Sequence, residues 1–211
     1  MKAQSWKDCR LPKGLVGSNP TLSASLQKAY KSYAKAQQSS IQGKASVFQL
    51  KPCFLFEVIR MTTKVYYFAY GSNMDKEQMF ERCRRRDILS EIALLQNYGF
   101  VYDGTSKTWG GHAVANVFPS PENTVWGIIY EVTAEELAKL DRKEGYCGDP
   151  AKRKYDRQEL NVICKAGNLQ KKAFVYLRTG QKEGSPCKLY RDKIIAAAKA
   201  NDFPTEYIRK L

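Results

Sequence analysis

Tyr67-Phe68-Ala69-Tyr70-Gly71-Ser72-Asn73 is the stretch on which the reading of this chain turns. Lys64 to Ala69 is rich in aromatic and β-branched residues, the composition of a strand. The run stops at Tyr70-Gly71-Ser72-Asn73, and a polar, helix-compatible stretch follows from Asp75. Ser72 and Asp75 stand at the spacing of a helix N-terminal capping pair. A strand that ends in Gly-Ser-Asn and opens a helix presents unpaired backbone N–H groups and the positive end of a helix dipole. Such a corner suits an anion, for example a carboxylate. The same residues also make an ordinary strand–turn–helix corner, since Gly, Ser and Asn are common turn formers.

Outward from this run the chain alternates strands and helices. Ala93 to Val101 is apolar with aromatic punctuation and reads as a strand. Val114 to Phe118 reads as a short strand ended by Pro119-Ser120-Pro121. Val125 to Val132 is a strong strand, with Gly127 marking a bend or a close backbone approach. Thr133 and Glu136 form a capping box, and Leu137 and Leu140 give the following short helix an apolar stripe. That helix ends at Gly145, a residue suited to a left-handed cap. Strands follow near Tyr155–Cys164 and Lys171–Leu177, then a helix from Leu189 to Ala200 with Asn201 as its stop. A last short helix is expected within Pro204–Leu211. Short strands interleaved irregularly with helices predict an α+β fold, a small mixed β-barrel flanked by helices.

The formal charge of +14 invites a nucleic-acid reading. Its distribution argues against one: residues 1–60 hold ten Lys/Arg against two Asp/Glu, and the remainder holds 25 against 19. Most of the excess therefore sits in the first segment, and no nucleic-acid recognition motif is present. That segment has no sustained periodicity, and only Ser25 to Ala36 has modest helical character. It reads as a basic disordered tail, a transit peptide, or over-extended translation. Gly17-Ser18-Asn19-Pro20 is what one reading frame across the T-arm of a transfer-RNA gene encodes, and Met61 stands directly before the first good strand. The expected organisation is an extension at 1–60 and one domain at 61–211, with Met61 as the natural start. A peptide from 1–60 detected in cells would overturn that start.

The six cysteines, at positions 9, 53, 83, 147, 164 and 187, form no close pair of the zinc-knuckle or redox type. Reduced thiols in a cytoplasmic protein are the simplest reading. No apolar run is long enough to span a membrane. The single histidine, His112 in Gly110-Gly111-His112, rules out a multi-histidine metal site and reads as a turn or strand-start residue.

Glu144 closes the helix that begins after Thr133. A carboxylate at a helix C-terminus faces the negative dipole end. Two readings stand beside each other there. One is a solvated terminal Glu; the other is a carboxylate whose surroundings raise its proton affinity and suit it to general-base work. Arg84-Arg85-Arg86 reads as a basic helix C-terminus favoured by the dipole.

Taken in order, several blocks resemble the gamma-glutamylcyclotransferase family. They are Tyr67–Asn73, Thr108-Trp109-Gly110-Gly111, Phe118-Pro119-Ser120-Pro121, Val125-Trp126-Gly127, Leu140-Asp141 with Glu144-Gly145, Tyr190, and Asn201–Tyr207. The resemblance covers 61–211 and none of 1–60. It implies a compact barrel and a cofactor-free, metal-free acid–base reaction on a γ-glutamyl amide, the sort of chemistry that belongs to glutathione metabolism. The substrate's α-amine attacks its own γ-carbonyl, 5-oxoproline forms, and an amino acid leaves. By the same resemblance Glu144 is the general acid/base. Tyr67, Phe68, Ala69, Tyr70, Gly71, Ser72 and Asn73 hold the substrate together with Tyr190, and Tyr155 lines the pocket. The Gly-Ser-Asn form of the loop resembles glutathione-specific or γ-glutamylamine cyclotransferases less well. The segment Cys147–Lys154 is long and charged, and it borders Glu144. The expected partner is a small γ-glutamyl molecule, with no nucleic acid and no membrane; the oligomeric state stays open, a homodimer included. A catalytically silent small-molecule-binding member of the fold is the alternative, since fold does not guarantee activity.

Overall fold

The computed structural model describes residues 63–147, 149–150 and 152–211. The readings made for residues 1–60, including the Ser25–Ala36 helix and the role of Met61, lie outside the described residues. Strand β1 is Lys64–Ala69, where the aromatic run placed it. A single 3-10 turn, Ser72–Met74, follows, and helix α1 then spans Lys76–Cys83. Asp75 caps α1, its side chain accepting from the backbone N–H of Gln78 at 2.7 Å. The capping assignment made for Ser72 is thereby corrected. The chain needs the 3-10 turn to change direction, so α1 begins three residues past the loop and Asp75 takes its dipole end.

Strand β2 spans Ser90–Ser106 and β3 spans His112–Thr133, joined by the turn at Lys107–Trp109. The two strands expected at 114–118 and 125–132 are thus one bent strand. Pro119 does not end it, because this part of β3 is bonded to β2 on one side, with Tyr98 opposite Pro119. The pairing of β1 covers only Ile128–Thr133. A proline is tolerated where a strand edge needs no N–H donor. His112 is a strand-start residue, as read.

Helix α2 is Ala134–Glu144, with the full Thr133/Glu136 capping box and Gly145 left-handed at φ 70°. Strands β4, Asp156–Cys164, and β5, Leu169–Leu177, form a hairpin. Helices α3, Lys188–Ala200, and α4, Thr205–Ile208, complete the described chain. The strands close into a barrel in the order β1-β3-β2-β4-β5; β1 lies parallel to β5 and the other pairs are antiparallel. This is the expected mixed barrel with flanking helices.

The core is the barrel interior and the layer beneath the helices. Phe68, Leu95, Val117, Ile128, Tyr130, Val162 and Val175 are buried there, with Met79, Leu140 and Ile194 contributed by α1, α2 and α3. Gly127 explains how closely β1 and β3 pack. A Cβ at this position would stand 2.4 Å from the Ala69 carbonyl oxygen and 2.5 Å from the Phe68 ring. No helix among the described residues is long and apolar enough to cross a membrane.

Candidate active site

The geometry of β3 and α2 explains why Glu144 reaches the loop after β1. Thr133 pairs with Lys64 at the start of β1, and Ile128 pairs with Ala69 at its end. Helix α2 follows its cap Thr133 and has 11 residues, about 16 Å of rise. The six residues of β1 span about 17 Å. A helix returning along β1 therefore ends beside Tyr70–Asn73. There the Glu144 Oε1 atom accepts a hydrogen bond from Asn73 Nδ2 at 3.1 Å, across 71 positions of sequence.

Asn73 is buried, and its side chain and carbonyl are engaged. Its Nδ2 also donates to the Tyr67 hydroxyl at 2.7 Å, and its Oδ1 accepts from Gln78 Nε2 at 2.8 Å. Its backbone carbonyl accepts from the Tyr130 hydroxyl at 3.0 Å. Ser72 Oγ receives the second Gln78 hydrogen bond, at 3.0 Å. Glu144 also meets a group the sequence reading had not singled out: Arg82 of α1 donates NH1 to the same Oε1 at 2.5 Å.

Four tyrosines surround this pair. Burial raises the hydroxyl pKa of Tyr67, Tyr70, Tyr155 and Tyr190, and the charge of Glu144 adds to the rise in each. They are therefore neutral hydrogen-bonding groups through the physiological range. Tyr70 donates to the Tyr176 carbonyl. The Tyr190 hydroxyl accepts from the Ala115 N–H at 3.1 Å and stands 3.4 Å from where a Gly71 Cβ would lie. Glycine at 71 thus keeps the space between the loop and Tyr190 open. Tyr155 is held beneath the Arg178 guanidinium, 4.6 Å from its ring centre.

The site residues divide by placement. Asn73, Tyr67 and Glu144 share one hydrogen-bonded cluster, and Gly71 faces Tyr190. Phe68 and Ala69 are fully buried, with Phe68 against Gly127, so their side chains belong to the core. Among the described residues no acceptor takes the backbone N–H of Gly71, Ser72 or Asn73. These donors come from the loop and its 3-10 turn rather than from the start of α1. No group of three His, Cys, Asp or Glu that could hold a metal ion occurs among the described residues.

Arg85 also departs from the dipole reading of the arginine run. Arg84 is the left-handed cap of α1 at φ 58°, while Arg85 grips Glu136 through Nε and NH2 at 2.6 and 3.0 Å. Burial alone would raise the Glu136 pKa, but Arg85 and the Thr133 N–H outweigh it and hold it below the ordinary 4.5. One turn before Glu144, Asp141 accepts from the Tyr176 hydroxyl at 2.7 Å and from Arg157 at 2.6 Å, tying α2 to β5 and β4. Arg82, Gln78 and Asp141 were missed as site-forming residues. The signal that could have found Gln78 and Arg82 is their i, i+4 spacing, which puts both on one face of α1. A groove of about 460 Å³ bordered by Gly104, Gly111, Gly180 and Gly184 contains none of these residues.

A closed barrel with one carboxylate brought to a Tyr-Gly-Ser-Asn loop defines the class. The sequence pattern of the AIG2-like family matches residues 124–211. Human gamma-glutamylcyclotransferase is 32% identical over 149 residues, spanning 69% of this chain and 76% of the relative. The bovine gamma-glutamylcyclotransferase is 31% identical over 153 residues with the same coverage. A solved gamma-glutamyl cyclotransferase superimposes with a TM-score of 0.63 at 28% identity, covering 70% of this chain and 86% of that one. A yeast gamma-glutamyl cyclotransferase specific to glutathione, 13% identical with a TM-score of 0.52, shares the fold. The chain belongs to the gamma-glutamylcyclotransferase family.

Proposed function

We propose that this protein is a cofactor-independent gamma-glutamylcyclotransferase, with Glu144 as its general acid/base. The observation that carries the reading is the 3.1 Å contact between Glu144 and Asn73, which joins a proton-carrying group to the substrate loop. The activity named for the human and bovine relatives supports it.

The reaction balances without a co-reactant. Glu144 accepts a proton from the substrate's α-ammonium group, and the freed amine forms a C–N bond to the γ-carbonyl carbon. The carbonyl oxygen becomes an oxyanion, which the N–H groups of Gly71, Ser72 and Asn73 can receive. As the intermediate collapses and the original amide C–N bond breaks, Glu144 returns the first proton to the leaving nitrogen and then relays the second proton of the ring nitrogen to it, so the lactam keeps one N–H and the amino acid departs with an ammonium group. A five-membered lactam, 5-oxoproline, and an amino acid result. Because the attack is intramolecular, holding the γ-glutamyl chain folded supplies much of the rate. Tyr70 and Tyr190 wall the site as neutral groups and leave Glu144 to carry the proton. The unpaired thiols of Cys83, Cys147, Cys164 and Cys187 support a reducing, cytoplasmic setting for this chemistry.

The test is incubation of the full chain with a panel of γ-glutamyl dipeptides, scored for 5-oxoproline. Product with the wild type and its loss in Glu144→Gln are expected. No product from any dipeptide would leave the silent-binding alternative standing.

A further inference from the structure

Four carboxylates with side chains under a fifth exposed are paired with arginine: Asp103 and Glu136 at 7%, and Asp141 and Glu144 at 17%. In three of them both oxygens are occupied. Asp103 accepts from Arg178 on Oδ1 and from Asn116 on Oδ2. Glu136 accepts from Arg85 on both oxygens, and its Oε2 also takes the Thr133 N–H. Asp141 accepts from Tyr176 on Oδ1 and Arg157 on Oδ2. Glu144 differs: Arg82 and Asn73 both donate to Oε1, and among the described residues no donor reaches Oε2.

The donors on Oε1 trace to one helix face. Gln78 and Arg82 lie four residues apart on α1, so their side chains project to the same side. Arg82 reaches Glu144 directly. Gln78 donates to Asn73 Oδ1, which orients the Asn73 amide with its NH2 toward Glu144 and Tyr67. A carboxylate held at one oxygen by two donors cannot swing freely, and its second oxygen stays available.

Building on the cyclotransferase reading above, we propose that Arg82 and Gln78 are positioning residues that hold Glu144 through Oε1 and reserve Oε2 as the oxygen that takes the substrate's proton. Placement of this kind matters because proton transfer requires hydrogen-bond reach, and a displacement of about 1 Å can cost about a hundredfold in rate.

The groups facing Glu144 are Arg82 from α1, Tyr67 from β1, Tyr70 from the loop, Tyr155 before β4 and Tyr190 from α3. Lys154 lies against the adjoining Gly145, and Asp141 shares the last turn of α2. Arg82 is the cation in contact with the carboxylate.

The experiment measures kcat and KM for 5-oxoproline formation from a γ-glutamyl dipeptide with wild type, Arg82→Met, Arg82→Lys and Gln78→Met in the full chain, kcat being taken per folded molecule from the circular dichroism of each sample. Arg82→Met is expected to lower kcat about a hundredfold and to leave KM near that of the wild type, because it removes a donor to Glu144 and none to the loop. A merely structural defect would lower the folded fraction and not kcat per folded molecule. Arg82→Lys should restore part of kcat, since an ammonium can still donate to Oε1. Gln78→Met should lower kcat about tenfold. An Arg82→Met enzyme with wild-type kcat per folded molecule overturns the proposal. If Arg82→Met does not fold, wild-type kcat in both Arg82→Lys and Gln78→Met overturns it. A wild type that forms no 5-oxoproline overturns the functional reading, and the positioning role falls with it; an active wild type with unaffected variants overturns the positioning role alone.

Discussion

The Glu144 and Asp103 clusters each pair an arginine with a carboxylate, and the carboxylates differ in how many of their oxygens are bonded. Asp103 and Arg178 are nearly buried, and Asn116 closes the pair by donating to Asp103 Oδ2 and to the Arg178 carbonyl. Both Asp103 oxygens accept a hydrogen bond, and the cluster ties β2, β3 and the end of β5 together. The Glu144 pair is somewhat more exposed and keeps one oxygen uncommitted. The same ion-pair chemistry thus serves cohesion where it is saturated, and it leaves capacity for a proton where it is not. A carboxylate with an unbonded oxygen can take a proton there without giving up a hydrogen bond already made.

The largest effect that would break this comparison is on turnover. Glu144→Gln should reduce 5-oxoproline formation by about a hundredfold to ten-thousandfold, since it removes general acid–base catalysis. Its thermal midpoint should stay close to that of the wild type. Full activity in this variant, measured by product assay, would move the proton carrier elsewhere. Next is Asp103→Ala, which strands Arg178 in the interior. Removing one partner of a buried pair costs about 3–5 kcal/mol, so urea unfolding should show a large loss, while the KM of the remaining folded enzyme stays near wild type. An unfolding midpoint equal to wild type would show that the cluster is not cohesive.

The smallest effect concerns Glu136, which sharpens the point because it is a saturated carboxylate on the same helix as Glu144. Its folded pKa lies below the ordinary 4.5. Its stabilising contribution is therefore complete above the unfolded value and disappears as pH falls through the folded one. Glu136→Gln keeps the capping geometry and weakens the grip of Arg85, at about 2 kcal/mol near neutral pH. Thermal midpoints recorded from neutral to acidic pH should converge with those of the wild type as the solution becomes acid. A gap between variant and wild type that stays constant down to low pH would contradict the assigned charge of Glu136.

Much of the fold was legible locally. The aromatic run of β1, the Thr133/Glu136 capping box and the left-handed Gly145 are all set by contacts within four residues, and each is where the sequence placed it. Two local readings failed for non-local reasons. Pro119 looked like a strand end, but a free edge opposite β2 lets β3 run through it. Ser72 looked like a cap, but the 3-10 turn after β1 passed that role to Asp75. In the site, Glu144 and the Tyr70–Asn73 loop could be marked from ordered sequence blocks. Arg82 and Gln78 could not, because on an amphipathic helix an Arg and a Gln most often face water, and nothing local says that a carboxylate 62 positions away will meet one of them.

By itself the sequence determined most of the elements and the α+β class, because propensity, capping and turn chemistry act over a few residues; the two halves of the candidate site were marked by ordered blocks that resemble a family. The tertiary structure alone decided which oxygen of Glu144 is held and which is free. That outcome depends on α2 matching the length of β1 and on α1 lying beside it. These distances are set by barrel closure and core packing, and no stretch of sequence contains both ends of them.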